Sequence, residues 1–222
     1  MRQRKIVCCG IYRTGSTWLY NIVRVGLKAV GMNPIGYFYP DMYLDLENNI
    51  SKYDISVVKT HNYYAKLVDA DMVLCSRRNL FDTIASAIRK GIINQNEKDI
   101  KKFMETMVIP LYESWAPLSH FIMDYEEMIQ DKQAMAMRVF DLIGIKVHNA
   151  KEIVEEIEGY AVPGEKRYCG KTPFGYDSIT MLNGNHFTDG RPDSYLKTLE
   201  KRFIDIINDK YGKWAKENGF LK

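Results

Sequence analysis

Apolar and polar positions follow two rhythms along the chain. Short apolar runs at Ile6–Cys9, Ile55–Val58 and Met72–Cys75 have the length and flanks of buried strands. Between them, apolar residues recur three and four apart. Positions 18, 19, 22, 23, 27 and 30 share one helical face, with Gly31 as the expected stop. A helix over about 79–90 gathers Leu80, Phe81, Ile84, Ala85 and Ile88 on one side. Helical spacing continues through 97–118, Phe121–Met123 reads as a fourth strand, and 126–142 as a further helix. Near the C-terminal end Leu196, Leu199, Phe203, Ile206 and Ile207 repeat at helical spacing, with Asp193 or Ser194 as cap and Gly219 as stop. Residues 159–190, rich in glycine, form a long irregular segment of the kind that often carries function. Strands alternating with helices predict an α/β class: one three-layer domain over residues 1–222, with a central parallel sheet flanked by helices.

Composition narrows the class. Of 222 residues, 46% are hydrophobic and 27% charged, as in ordinary globular chains, which excludes wholesale disorder, a collagen-like repeat and a disulfide scaffold. A chain of this size buries roughly 70% of the surface its unfolded form exposes, so it folds without a structural metal or bridge. Lys and Arg number 31 against 28 Asp and Glu, a net +3. That mild excess suits a small anionic ligand and falls short of a nucleic-acid footprint, so no nucleic-acid partner is expected. No apolar run reaches the ~18 residues of a membrane span. The run after Lys5 is shorter than the ~7–15 residues of a signal-peptide core, so the expectation is a cytoplasmic protein. Adjacent Cys8 and Cys9 point to opposite faces of a strand, Cys75 lies in another apolar run and Cys169 is isolated. With no CxxC pair, reduced and mostly buried thiols are expected, and no metal.

The chemistry concentrates in the loop Tyr12-Arg13-Thr14-Gly15-Ser16-Thr17 between the first strand and helix. A loop opening a helix presents unpaired backbone N–H groups, and the helix dipole adds positive potential; together they hold phosphate or sulfate. Gly15 lets the backbone approach an anion closely. Thr14, Ser16 and Thr17 add hydroxyls, and Arg13 adds a charged fork. A plain capped turn is the alternative. The triphosphate signature GxxxxGK[ST] is absent, because Ser16 rather than lysine follows Gly15. A nucleotide with one 5′-linked anionic group fits this loop better than a triphosphate.

Four blocks, in order, resemble the cytosolic-type sulfotransferases. That family takes its sulfuryl group from 3′-phosphoadenosine 5′-phosphosulfate (PAPS) and leaves 3′,5′-adenosine bisphosphate (PAP). Tyr12–Leu19 resembles the family's 5′-phosphosulfate loop, and Arg78–Ser86 its 3′-phosphate motif. Val58-Lys59-Thr60-His61 is similar to the strand end bearing its catalytic histidine, and Tyr125-Glu126-Glu127 to a later block after a strand. The resemblance covers most of residues 5–130 and implies a P-loop-like domain. It also implies that Arg78 and Ser86 converge on the 3′-phosphate; their eight-residue spacing alone fits surface charges and a packing serine as well. Trp18 is implied to stack on adenine, a contact of ~1–3 kcal/mol, or else is a core aromatic; Tyr125 has the same two readings. His61 is implied to be the base, whereas His120 and His148 read as structural.

The reaction so implied is in-line sulfuryl transfer to an acceptor hydroxyl or amine. His61 takes the acceptor's proton, Arg13 and Lys59 stabilise charge on the transferring group and leaving oxygen, and no metal takes part. Two departures stand out. Arg13 replaces the lysine usual in cytosolic animal-type members and resembles carbohydrate-modifying branches; arginine is the poorer proton donor. The family's C-terminal Arg-Lys-Gly block is missing; Gly190 is the candidate for its glycine, and Lys171, His186 and Arg191 for its cations. The acceptor, a small molecule, sugar or lipid, is not specified. Six of 15 tyrosines and Phe38 fall within 37–64, as an aromatic or sugar-binding wall or as core packing. The competing functions are a P-loop kinase of a nucleotide or small metabolite, and a non-catalytic adenine-nucleotide module.

Overall fold

A computed structural model describes residues 3–43, 49–160, 176–182 and 190–221. Cys169, Lys171 and His186 lie outside the described residues. Five parallel strands form one sheet: β1 (Arg4–Cys8), β2 (Pro34–Phe38), β3 (Ile55–Lys59), β4 (Met72–Arg77) and β5 (Phe121–Asp124), in the order β2-β3-β1-β4-β5. The helices are α1 (Ser16–Ala29), α2 (Leu80–Arg89), α3 (Glu97–Phe103), α4 (Ile109–Trp115), α5 (Tyr125–Gln130), α6 (Lys132–Ile143), α7 (Ala150–Gly159) and α8 (Lys201–Glu217). Among the described residues no helix is long and apolar enough to cross a membrane.

Strand alternation builds the three layers. Ile6 and Cys8 face a core shared with α1, α6 and α7, while Val7 and Cys9 face the opposite side with Val58, Val73 and Cys75. A third cluster packs α2, α3 and α8 together. The three cysteines described are buried free thiols, with Cys8 and Cys9 on opposite faces as their adjacency predicts.

The sheet contains an edge strand that the apolar pattern hides. Pro34 and Gly36 interrupt β2, yet Gly36 is needed there because a Cβ would collide with the Tyr20 hydroxyl. The helix expected over 126–142 is two helices. Asp131 breaks it, and its carboxylate accepts from Ala134 N at 2.8 Å to start α6. Helix α7 was not anticipated. The C-terminal helix begins at Lys201 rather than near 193, and Leu196 stands 64% exposed in a short 3-10 turn. Buried Asp82 holds that turn: its carboxylate accepts from Asp193 N at 2.9 Å, Ser194 Oγ at 3.0 Å and Tyr195 N at 2.9 Å.

The order of the strands positions the site. Helix α1 leaves β1 toward one face, and α2 leaves neighbouring β4 toward the other. A crevice therefore opens at the carboxyl ends of β1 and β4, where open α/β sheets bind ligands. The carboxyl ends of β3 and β5 flank it.

Candidate active site

The β1–α1 loop is shaped by two left-handed residues, Arg13 at φ +72° and Gly15 at φ +86°. For Arg13 this conformation costs roughly 1–2 kcal/mol. The Thr14 hydroxyl is turned inward, donating to Ile11 O at 2.7 Å and bonding Ser76 Oγ at 2.8 Å. It braces the loop instead of lining the crevice. No side chain caps α1 and no acidic residue lies in its first turn, which leaves the N–H groups of that turn available as a cradle for an anion.

The second cradle abuts the first. Arg13 Nε donates to Ser86 Oγ at 3.0 Å, tying the loop to α2. Asn79 caps α2 by accepting from Phe81 N at 2.9 Å, which leaves Arg78 at the helix entrance. Arg78 is 3% exposed, lies over the Tyr125 ring at 4.3 Å, and donates through Nη2 to Gly190 O at 3.2 Å and Arg191 O at 3.3 Å. Its buried Nε has no hydrogen-bond partner among the described residues. The Tyr125 hydroxyl also donates to Gly190 O, at 3.0 Å, and its ring closes on Gly15 so tightly that a Cβ there would lie 2.8 Å from Cδ2. Burial, then the charge of Arg78, lowers Arg13 to about 10, which leaves it cationic at neutral pH. Arg77 is diverted: it pairs with Asp124 at 3.6 Å and donates to Asn218 O at 3.2 Å.

At the end of β3, His61 Nδ1 lies 2.8 Å from Gly10 O, and a carbonyl only accepts, so Nδ1 carries the proton. In the neutral ring Nε2 is then the acceptor, 3.1 Å from Lys59 Nζ. Tyr12 stacks on the imidazole with centroids 4.2 Å apart and planes 20° apart. Lys59 is 2% exposed, and burial pulls its ammonium down to about 7. His120 does structural work, accepting at Nδ1 from Val73 N at 3.1 Å.

The two regions meet in one cavity of about 690 Å³. Arg13, Gly15, Ser16, Thr17, Trp18, Lys59, His61, Arg78 and Tyr125 line it, whereas Thr14 and Ser86 stand behind its wall. Trp18 lines the cavity and also packs against the core around α1. Arg191 accepts from Arg78 through its carbonyl. Of the tyrosine-rich stretch, Tyr37 and Tyr39 are core residues, while Phe38 reaches the cavity. Tyr12, quoted in the loop without a role of its own, also lines the cavity, as do Asp41, Lys90 and Tyr176, which no motif covered.

No protein-family model matches the sequence. No curated protein matches it. Solved structures do. A mouse sulfotransferase, SULT7A1, complexed with PAP superposes at a TM-score of 0.71 with 12% identity, over 97% of this chain and 86% of that one. Retinol dehydratase in complex with retinol and PAP superposes at 0.62 with 16% identity, over 98% of this chain and 82% of that one. The same enzyme with androsterone and inactive cofactor PAP gives 0.59 at 16% identity, over 98% and 82%. The chain has the sulfotransferase fold. Within that fold the cavity sits at the carboxyl edge of the sheet, bordered by the loop at 12–17 from β1 and by Arg78 from β4, with Ser86 behind the wall.

Proposed function

We propose that this chain is a PAPS-dependent sulfotransferase acting on an acceptor hydroxyl or amine. The observation that carries the reading is the Arg13–Ser86 hydrogen bond at 3.0 Å, which joins two anion cradles beside one histidine. The residues present fit a nucleotide with anionic groups at both ends. The uncapped start of α1 suits a 5′-linked phosphosulfate. Buried Arg78, with an orphaned Nε, suits a 3′-phosphate beside Ser86. Trp18 and Tyr125 offer ring faces for adenine.

PAPS supplies a sulfuryl group on a phosphate leaving group. The chain supplies the rest. Ser16, Thr17 and the first-turn N–H groups bind and orient the anion. His61 Nε2 takes the acceptor's proton as the acceptor oxygen forms its bond to sulfur and the bond from sulfur to the phosphate oxygen breaks. The Gly10 carbonyl holds Nδ1–H, which keeps Nε2 as the basic atom. Lys59 shares that nitrogen until an anion gives its ammonium a stronger partner, which opens Nε2 to the acceptor. Arg13 holds charge at the leaving oxygen. With lysine absent from position 13, proton delivery to the leaving group falls to Lys59, whose value of about 7 suits a donor at neutral pH.

Titration calorimetry with PAP against ATP plus magnesium tests this reading. The expected result is saturable PAP binding and at most weak ATP binding. Preference for ATP points to a kinase and overturns it.

A further inference from the structure

Asp41 is the odd charge in the cavity. Arg13, Lys59, Arg78 and Lys90 line it, and Arg13 is their common electrostatic neighbour. Two carboxylates share the wall among the described residues, Asp41 and Glu158. Glu158 is ion-paired with Lys132. Asp41 has no cation of its own: among the described residues the Tyr176 hydroxyl alone donates to it, reaching Oδ2 at 3.2 Å. A carboxylate accepts about four hydrogen bonds, so most of its capacity is open to the cavity. A negative charge in a chamber built for an anionic donor repels that donor. Asp41 therefore serves whatever shares the chamber with it.

Its neighbours say where that partner lies. Tyr12 stacks on His61 at 4.2 Å, and the Phe38 ring stands 5.8 Å from the same imidazole. Phe38 is 5.6 Å from Tyr176, which bonds Asp41. Burial, then Tyr64 and Asp41, raise the Tyr12 phenol, so the carboxylate also acts back on the ring that covers His61. The contacts form a collar that begins and ends at the proposed base. Ring faces beside a single carboxylate hold a ring that bears an ammonium group: the faces take the apolar face of the ring and the cation, and the carboxylate takes the N–H donors.

We infer that Tyr12, Phe38, Tyr176 and Asp41 form the acceptor subsite, selective for a hydroxylated ring carrying a protonated amine over an amine-free alcohol. The inference rests on the sulfotransferase reading above. A phenolic amine and an amino sugar share this chemistry, and two arms of one experiment separate them.

The protein is first loaded with PAP, and calorimetry then compares tyramine with 4-ethylphenol and glucosamine with glucose. The measurements are repeated on Asp41→Asn, which keeps an oxygen for the Tyr176 hydroxyl but removes the charge. In at least one arm the ammonium probe is expected to bind on the order of tenfold more tightly than its amine-free counterpart. Asp41→Asn should erase that advantage without weakening PAP binding. Equal or tighter binding of the amine-free probes overturns the inference, as does failure of every probe to bind the loaded protein. An advantage that survives Asp41→Asn overturns it too. Failure of the wild-type protein to bind PAP strikes the sulfotransferase reading itself, and this inference with it.

Discussion

The two ends of the cavity are built on opposite principles. At the Arg78 end, charge is held by rigid parts: a helix entrance capped by Asn79, a guanidinium clamped between the Tyr125 ring and two backbone carbonyls, and a left-handed loop tied to Ser86. At the His61 end, the groups are held by ring contacts and by a carbonyl that selects a tautomer. The first arrangement suits a fixed anion, since guanidinium charge persists at every physiological pH. The second suits a proton in motion, since imidazole and a lysine near 7 both change charge close to neutrality. Binding and turnover should therefore be separable by mutation.

The largest expected effect breaks the His61 end alone. His61→Ala should lower the rate of sulfuryl transfer from PAPS to acceptor by roughly 10²–10⁴-fold. Its PAP affinity, measured by calorimetry, should stay close to wild type. Unchanged turnover would remove His61 as the base and leave a nucleotide-binding module.

Next in size is the converse. Arg78→Met should weaken PAP binding roughly 100-fold, because a buried charge–phosphate contact is lost. Binding of adenosine 5′-phosphate, which has no 3′-phosphate, should change far less. Equal losses for both nucleotides would mean that Arg78 acts only as an anchor for Gly190 and not as a ligand to the 3′-phosphate.

The smallest effect sharpens the border between the two ends, at Lys59. Burial holds its ammonium near 7, so at pH 8 most copies are neutral. An anion alongside favours the charged form and raises that value. PAP binding at pH 8 should thus take up a fraction of a proton, seen as a heat that varies with the ionisation enthalpy of the buffer. Uptake should fade below about pH 7, where Lys59 is already charged, and vanish in Lys59→Met. Proton release instead would show that Lys59 faces away from the anion.

Some of this was legible in the order of residues. The apolar runs at β1, β3, β4 and β5 are nearly continuous because parallel strands are buried on both faces, and continuity shows in sequence. The loop at 12–17 was legible as a strand-to-helix turn carrying glycine and hydroxyls, a pattern shared by anion loops and plain capped turns. Helix α2 announced itself through Asn79 and its apolar face. Tertiary structure decided the rest. Edge strand β2 was hidden by Pro34 and Gly36, the glycine answering to Tyr20 across the layer. The turn that precedes α8 is held by Asp82, more than a hundred residues earlier, which accepts from the donors at 193–195. Arg77 and Arg78 are indistinguishable side by side; only the sheet edge sends one to Asp124 and the other to the cavity. Asp41 reads as a turn residue until the rings of Tyr12, Phe38 and Tyr176 are seen around it. Local propensity and periodicity are properties of neighbours in the chain, whereas a cavity wall joins residues from separate strands, and its chemistry appears only when the sheet aligns their ends.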